Sequence, residues 1–526
     1  MNVGSSPYYT VAAIYCRGLD GELLSALECY NDKKGCYVGL VSCDFPKSDC
    51  EGKDFQDWLK TFIVLETSLL PTLKTHYPQD FEARQITERI RALFATTLRN
   101  VASNDQWSLG ADIFYQRVFD FVTRNDRIQM CLPAFPCKSP NLRKVGGGTP
   151  DRAERIALQT LHAFTQEVRK IYPPGVTIWV ISDGHVFSDC IGVDDDIVSM
   201  YDTELHKAYQ GMFKASNDRE AIQFRGLTDL LFSNPTVRST FCDSWTPSFH
   251  VDHPIQSIRS PDIETSRQVM MAGFQSSRQH FRKLIEEQHA PTLNLYRGQA
   301  RFMQEDLCTP EYLAKSPKQR KKLAFVVAAE MIARNQAYSN LVELLFPNYI
   351  RLSIHAHTNR GPKFGICLFP RDRVRAIDSI RDRHELVPAY EFQVPTPWHN
   401  SIIMVAGDQT VYLGKASIVQ TAIEQGEFEG KWVEDGSKGG YFFLTQAFNV
   451  STASSVANAS SSMGSVHYGD EKNIATAQNE VMGVVSIAAT YGPHRAHFVV
   501  KIQGKLHHIL RSSRQLVKRV ITQRSS

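Results

Sequence analysis

The chain has 526 residues, of which 42% are hydrophobic and 22% charged, so it has ample material for a globular core and a length equivalent to roughly two to four domains. Its formal net charge of only +4 gives no reason to expect a nucleic-acid partner. It has no apolar run of about 18 residues and no secretory leader at its start, so we expect neither a membrane span nor export.

The cysteines indicate a reducing compartment. Their number, 11, is odd, and no CxxC pair occurs, which favours a cytoplasmic chain without a disulfide framework. Cys29, Cys36, Cys43 and Cys50 recur every seven residues but lie among Gly, Asp and Lys, without His partners. We interpret this spacing as coincidence rather than as a metal site.

Residues 1–110 are predicted to form a partly helical N-terminal extension whose beginning is irregular. Helical periodicity appears in Phe55–Leu73 and again in Phe81–Val101. A further helix is predicted over Asp112–Arg124, at the start of a core that we place at residues 111–450.

A proline-rich stretch, Leu132–Asn141 with the sequence LPAFPCKSPN, follows these helices. Its prolines restrict the backbone and prevent a regular strand ladder. The basic, glycine-rich residues 143–148 come next, and such a loop can hold a phosphate through its backbone N–H groups. The loop lacks the spacing of a P-loop, so a flexible surface loop is the alternative.

Helix and strand alternate from Thr149 onwards. Thr149 and Pro150 predict the cap and first position of a helix whose apolar residues recur at spacings of three and four. Ile178–Ile181 is too short for a helix and predicts a buried strand. Ile197–Met200 predicts a second strand and Thr203–Phe213 a second helix, an alternation typical of an α/β sheet.

Residues from about 214 to 346 are mostly helical in period and predict a helical insertion in the core. Sheet patterns return with Ile350–Ile354 and Phe364–Leu368. Ser401–Val405 and Val411–Leu413 flank a Gly-Asp turn and predict a hairpin.

The C-terminal part is different in composition. Residues 451–475 are rich in Ser and predict a linker or surface loop. Residues 476–526 are basic and include Phe498–Ile502, whose alternation predicts a strand added to the sheet. A basic tail also allows a non-enzymatic alternative, a scaffold that binds a polyanion.

Two acids and a histidine directly follow the predicted strand Ile178–Ile181: Asp183, His185 and Asp189. Ligands of open α/β sheets bind outside the carboxyl ends of the strands. Carboxylates and an imidazole at such a place suit proton transfer. A polar turn that caps the next element is the alternative.

Several blocks of this sequence resemble one known family. Leu132–Asn141 matches the signature LPAFPxKSPN, and the match continues through the following blocks in order: Pro150–Glu154, Ser182–Asp189, Val193–Asp196, Tyr201, Phe302-Met303, Arg351–His355, Lys363–Ile366 and Thr396–His399. Over about residues 112–415 the chain thus resembles the isocyanide (isonitrile) synthases of pyoverdine and dityrosine biosynthesis, in a stand-alone fungal form.

The resemblance implies an α/β fold, a Rossmann-like mixed sheet flanked by helices, with a largely helical insertion and an irregular N-terminal extension. It implies an enzyme that converts the amino group of an amino acid to an isonitrile, with ribulose 5-phosphate as the carbon source, in secondary-metabolite or spore-wall biosynthesis. No metal, flavin or nicotinamide cofactor is expected. The expected partners are the small-molecule substrates and a tailoring enzyme, either an oxygenase or a cytochrome P450.

The chemistry selects candidate residues, most of them within or beside these blocks. Proton transfer is assigned to five side chains: Asp183, His185, Asp189, His355 and His399. Lys138, Arg297 and Lys363 are the candidates for binding the sugar phosphate, and Arg225 for the carboxylate of the amino acid. Buried core histidines and surface ion pairs are the alternatives.

Two further functions stay open at this point. A relative that forms an N-formyl amino acid would also fit, because the yeast members are linked to formylated tyrosine. His250-Val251-Asp252 is an HxD pattern that could begin a non-haem iron site, completed by His399 or His494 in an oxygenase.

Overall fold

The computed structural model describes residues 80–447, except for 102–104, 215–217, 219, 232–250, 275–277, 347–348, 356, 371, 387–393 and 437. The predicted helix Phe55–Leu73, the evenly spaced cysteines, the Ser-rich segment and the predicted strand Phe498–Ile502 lie outside the described residues.

Helices and strands alternate through the described part, as predicted. The helices are α1 (Phe81–Thr97), α2 (Trp107–Val122), α3 (Arg152–Ile171), α4 (Gly184–Phe187), α5 (Asp195–Met212), α6 (Leu227–Leu231), α7 (Pro261–Phe274), α8 (Arg278–Glu286), α9 (Ala290–Asp306), α10 (Pro310–Leu313), α11 (Pro317–Leu345) and α12 (Ala416–Glu424). The strands are β1 (Ile128–Pro133), β2 (Val176–Ile181), β3 (Ile222–Arg225), β4 (Ile350–Ser353), β5 (Lys363–Gly365), β6 (Val374–Ala376), β7 (Ser401–Val405), β8 (Val411–Gly414), β9 (Phe428–Val433) and β10 (Tyr441–Gln446).

The first sheet has the strand order β3-β2-β1-β4-β5, with every neighbouring pair parallel. Helices α6–α11 lie in sequence between β3 and β4, so the predicted helical insertion is present. This parallel sheet flanked by helices confirms the predicted α/β class.

The two faces of the first sheet differ in chemistry. One face carries apolar side chains that pack beneath the helices; the ring of Phe364 lies 5.3 Å from that of Phe114, which stacks on Phe94 at 4.3 Å. On the other face, Trp179, Cys131, Arg351 and Lys363 stand side by side in register across four strands. The second face is therefore polar.

Helix α11 contributes two polar contacts to this side of the sheet. The Tyr338 hydroxyl donates to the carbonyl oxygen of Ile181 at 3.0 Å, at the end of β2. The Lys363 ammonium donates to the hydroxyl of Ser339 at 3.1 Å. Neighbouring residues of one helix thus hold two separate strands of the sheet.

The second sheet is mixed, with the order β6-β8-β7-β10-β9. Strands β7 and β8 are antiparallel, so the predicted hairpin is confirmed, and Gly407 takes a positive φ of 79° at its turn. Ile403, Tyr412 and Leu444 are among the buried residues of a small separate core on this sheet.

Two local predictions were wrong. The predicted strand Ile197–Met200 belongs to α5, which begins at Asp195 with two acidic residues in its first turn, a favourable place for carboxylates. The helix expected to begin at Pro150 begins instead at Arg152. Asp151 caps it because its carboxylate accepts from the backbone N–H of Ala153, and the Glu154 side chain accepts from the backbone N–H of Asp151.

The packed core extends before the predicted boundary at residue 110. That boundary falls inside α2, and Phe94 of α1 is fully buried among aromatic rings of the first sheet and its helices. The cause is the apolar stripe of α1, whose buried side chains include Ile90 and Phe94.

The turn after β2 packs closely against the proline-rich stretch. A Cβ atom on Gly184 would lie 2.0 Å from the carbonyl oxygen of Pro136 and 2.6 Å from a methyl group of Val198. Only a residue without a side chain allows this approach. The two segments are thereby fixed relative to each other.

We expect Gly184→Ala to lower the free energy of unfolding by about 1–3 kcal/mol, the usual cost of overpacking, although alanine favours helix more than glycine. The measurement is the midpoint of urea denaturation. Gly147→Ala is the matched control, because a Cβ atom there meets nothing within 4 Å. A Gly184→Ala midpoint equal to that of the wild type would contradict the close packing.

Candidate functional site

The carboxyl edge of the first sheet brings together the proline-rich stretch, the turn after β2 and the segment after β4. Strands β1 and β4 are neighbours, but β1 continues to β2 on one side and β4 to β5 on the other. In open parallel sheets a crevice forms at such a reversal of strand order, and ligands bind there.

Asp183 lies at this edge, two residues after the end of β2. Its Oδ1 atom is buried and has no hydrogen-bond partner. Burial raises the pKa of its carboxyl group to about 6. A backbone hydrogen bond and the positive charge of Arg351 act in the opposite direction and lower it. An acid with this pKa can exchange protons near neutral pH.

Asp202, which the sequence did not single out, lies on α5 close to the same turn. Burial raises the pKa of its carboxyl group to about 7, while a hydrogen bond with the Ser182 side chain lowers it and the charges of Asp229 and Asp183 raise it. The segment just before it, Ile197–Met200, is predicted from the sequence to be a strand, so the sequence does not place Asp202 on a helix beside the turn. In α5 it lies beside Tyr201, whose side chain is completely buried.

Arg351 and Lys363 place two cations side by side on the polar face of the sheet. Within the described residues, no carboxylate lies within ion-pairing distance of Arg351, whose guanidinium contacts the Cys131 Sγ at 3.9 Å. Arg351 lies in a recognised block, but its place within a strand gave no reason to select it. A guanidinium left without a carboxylate suits an anionic ligand.

Burial and nearby positive charge act together on His357. His357 has its pKa lowered to about 3, first by burial and then by the charges of His355, Lys363 and Arg351. Its imidazole is therefore neutral at physiological pH, and its Nε2 lies 2.9 Å from the Ser353 Oγ. His355, a predicted catalytic residue, is partly buried here, with its ring centre 6.2 Å from that of His357.

Two other predicted substrate ligands differ in position. Arg225 ends β3, is exposed, and its guanidinium carbon lies 4.9 Å from the centre of the Trp179 ring, on the polar side of the sheet. Arg297 is exposed on α9, nine residues before Asp306 and so about 13 Å from it along the helix. The structure thus brings Arg225 to the polar side of the sheet, whereas Arg297 is exposed on α9.

Asp189 and His185 lie in the interior beneath the turn. The Asp189 carboxylate is 2.6 Å from Arg334, 3.1 Å from Arg267 and 2.6 Å from His253. These groups outweigh burial and hold its pKa well below the usual range. The His185 Nε2 lies 3.2 Å from both the Asp195 carbonyl oxygen and the Ser199 hydroxyl, and burial lowers its pKa.

Lys138 is completely enclosed. Its ammonium lies 2.8 Å from Asp151 and 2.9 Å from Glu154, and it donates to the Pro397 carbonyl oxygen at 2.7 Å. Only 1% of its side chain is exposed. These contacts favour a structural role for Lys138 and argue against its predicted role as a phosphate ligand, because its charge is already balanced.

The basic, glycine-rich loop is also packed rather than open at its start. A Cβ atom on Gly146 would lie 2.0 Å from the Trp432 ring, and the Lys144 ammonium pairs with Asp306 at 2.9 Å. Gly147 and Gly148 have open space around them. The loop connects the proline-rich stretch to the second sheet.

His399 ends the short 3₁₀ helix Pro397–His399 and contacts Asp306. Its Nε2 is 3.8 Å from Asp306 and its Nδ1 is 3.2 Å from the Thr396 hydroxyl. Burial lowers its pKa, whereas Asp306 raises it. Burial raises the pKa of the Cys137 thiol, and the negative charges of Asp306, Asp202 and Asp183 raise it further.

Phe135 gives the proline-rich stretch its shape. Its backbone takes a positive φ of 59°, an uncommon conformation for a bulky residue, and its buried ring lies 5.4 Å from that of Trp398. The Ser182 hydroxyl donates to its carbonyl oxygen at 3.2 Å. Strain of this kind is common at functional sites.

Within the described residues, no group of three or more His, Cys, Asp or Glu side chains is arranged to hold a metal ion. His250 and His494, which the iron-site alternative requires, lie outside the described residues. No helix in the described part of the chain is long and apolar enough to cross a bilayer.

The sequence and the fold are both similar to known proteins. Spore wall maturation protein DIT1 of Saccharomyces cerevisiae is 42% identical over 398 residues, which are 74% of this chain and 73% of that protein. The L-tyrosine isonitrile synthase of Xenorhabdus nematophila is 33% identical over 261 residues, 49% of this chain and 69% of that enzyme.

The crystal structure of the PvcA protein from Pseudomonas aeruginosa superimposes with a TM-score of 0.52 at 26% identity, over 68% of this chain and 99% of that one. The family model described as pyoverdine/dityrosine biosynthesis protein matches residues 118–426, more than half of the chain. This range includes the proline-rich stretch, the turn after β2 and the cationic strands. The chain belongs to the pyoverdine/dityrosine biosynthesis protein family.

Proposed function

We propose that the protein is an isocyanide synthase, which converts the amino group of an amino acid to an isonitrile with a carbon atom from ribulose 5-phosphate. The observation that carries the proposal is an unpartnered buried acid, Asp183, on which the charge of Arg351 acts, together with the position of Lys363 beside Arg351 in the sheet. L-Tyrosine is the first amino acid to test, because one similar enzyme is named for it.

Asp183 is the proposed general base. An amino acid reaches the site as an ammonium ion, and its nitrogen must lose a proton before it can attack the sugar carbonyl. With a pKa of about 6, Asp183 is mostly ionised at neutral pH and is a better base than an ordinary carboxylate. The buried Oδ1, which has no hydrogen bond to break, is free to accept that proton.

Asp202 is the proposed source of protons for the later steps. Loss of water from the sugar requires an acid, and a carboxyl group with a pKa of about 7 is about half protonated at neutral pH. Two acids with separate environments can then share the donating and accepting roles.

Arg351 and Lys363 are the proposed phosphate ligands. A phosphate monoester carries close to two negative charges at neutral pH, and burial of that charge without cations would be very unfavourable. Burial lowers the pKa of His357, and the charges of Lys363 and Arg351 lower it further, which supports a cationic site beside these strands. Arg225, on the same side of the sheet, is the proposed ligand of the amino-acid carboxylate.

The direct test is incubation of the purified protein with uniformly carbon-13-labelled ribulose 5-phosphate and each of the twenty amino acids. An isonitrile product gains one labelled carbon and loses two hydrogens, which mass spectrometry resolves. A formamide would have the mass of the isonitrile plus one water and would support the N-formyl alternative. The similarity to a spore wall maturation protein is the reason to test for it. No labelled product with any amino acid would refute both.

We expect Asp183→Asn to lower kcat by roughly 10²–10⁴-fold, the usual contribution of a general base, because the amide keeps the shape but cannot accept the proton. The exposed Asp196→Asn is the matched control and should keep the wild-type rate. Steady-state kinetics measure both. A wild-type kcat in Asp183→Asn would show that Asp183 is only a turn residue.

The raised pKa of Asp183 also predicts how kcat/KM depends on pH. Because the pKa of Asp183 in the folded protein is raised to about 6, the base form is lost as the pH falls through about 6. We therefore expect log kcat/KM to fall with unit slope below this value, and to fall again above about pH 7 as Asp202 loses its proton. A pH–rate profile from pH 5 to 8 measures it; an acid limb centred near pH 4 would contradict the raised pKa.

We expect Arg351→Ala and Lys363→Ala each to raise the Michaelis constant for ribulose 5-phosphate by roughly tenfold or more, the scale of a lost charged hydrogen bond. The constant for the amino acid should change much less. Lys431→Ala, which removes an exposed lysine of β9, is the control. Unchanged constants for the sugar phosphate in both variants would place the phosphate elsewhere.

A further inference from the structure

Two buried arginines of the helical insertion hold the turn that carries Asp183. Arg267 of α7 and Arg334 of α11 are both completely buried. A buried guanidinium is stable only if its five N–H donors all have partners. The identity of those partners shows what each arginine holds in place.

Arg334 uses all five donors. Its Nη1 and Nη2 donate to the two carboxylate oxygens of Asp189 at 2.6 and 2.8 Å, and its Nε donates to Glu330 at 2.8 Å. The two remaining N–H groups donate to the carbonyl oxygens of Val186 at 2.9 Å and Asp252 at 2.7 Å. One arginine therefore binds both the backbone of α4 and the acid that follows it.

Arg267 completes the arrangement from a second helix. Its Nε donates to the carbonyl oxygen of His185 at 2.6 Å, its Nη2 donates to the Ser188 hydroxyl at 2.8 Å, and both of its Nη atoms donate to the Asp195 carboxylate. Its remaining N–H donates to Glu264 at 3.3 Å. The carbonyl groups of His185 and Val186, two consecutive residues, are thus each held by a different arginine.

We propose that Arg334 and Arg267 are positioning residues, which fix the one-turn helix α4 and thereby hold the Asp183 carboxylate at the carboxyl edge of the sheet. In this assignment Ser188 and Asp189 anchor the arginines and do not transfer protons. The role of Asp183 as a base rests on the function proposed above. The proposal that the two arginines fix the position of α4 does not depend on that function.

The geometry explains why a positioning role affects the reaction. Asp183 lies two residues before His185, and Gly184 between them is pressed against the Pro136 carbonyl oxygen. If the arginine contacts to His185 and Val186 loosen, the turn can rotate and the carboxylate shifts. A misplacement of about 1 Å at a reacting group can cost roughly 10²-fold in rate.

The test compares Arg334→Lys with Ile90→Val, a core change in α1 that lowers stability without touching the turn. A lysine keeps the charge but cannot bind Asp189 and the Val186 carbonyl group together. We expect kcat to fall by roughly 10²-fold, with the Michaelis constants of both substrates nearly unchanged. The acid limb of kcat/KM should move below pH 6 as the turn gains solvent. Ile90→Val should change none of these quantities.

Hydrogen–deuterium exchange gives a second readout that does not depend on activity. Amides of residues 182–190 should exchange faster in Arg334→Lys than in the wild type, and those of α1 should not. Asp189→Asn removes the shared anchor and serves as the second variant if Arg334→Lys fails to fold. Wild-type exchange in the turn of a folded variant would overturn the proposal. Inactive wild-type protein would refute the proposed function, while the exchange result would still decide the inference.

Discussion

The structure depends on a parallel sheet whose two faces have opposite chemistry. Parallel sheets are usually apolar on both faces because helices cover both. Here one face is apolar and packs under the helices, whereas the other carries Trp179, Arg351 and Lys363 in one row. A polar face covered by a helix must satisfy its charges, either from that helix or from a ligand. The position of α11 and the chemistry of the site both follow from this requirement.

The second constraint is that buried charged side chains need partners of opposite charge, and in this chain they are grouped in clusters. Lys138 contacts two carboxyl groups between the proline-rich stretch and α3, and Arg267 and Arg334 both contact the Asp189 carboxylate beneath the turn after β2. Buried pairs of this kind add little net stability, but loss of one partner leaves an unbalanced charge that is very costly. An arrangement of the loops that separated these partners would therefore be strongly disfavoured.

The sequence predicted the parts of the fold that follow from local patterns. The strand before Asp183, the β7–β8 hairpin and the helical insertion all have short-range periodicity or turn residues. It missed the extent of α5, because Ile197 and Val198 are β-branched and favour a strand, while the helix is set by packing and an acidic first turn. Arg351, Asp202 and Arg334 could not be selected, because their importance depends on which distant groups they meet. For the same reason Lys138 could not be recognised as already paired.

Helix α11 has a consequence for the size of molecule that the site accepts. Arg334 donates to the turn that carries Asp183, Tyr338 donates to the end of β2, and Ser339 accepts from the cation Lys363. Five residues of α-helix rise about 7.5 Å, and this length cannot be stretched. The spacing between the turn that carries Asp183 and the cation Lys363 therefore depends on a rigid helix as well as on the side chains that reach from it. If the proposed function holds, acceptance of a sugar phosphate with a longer or shorter carbon chain would require a change in this helix.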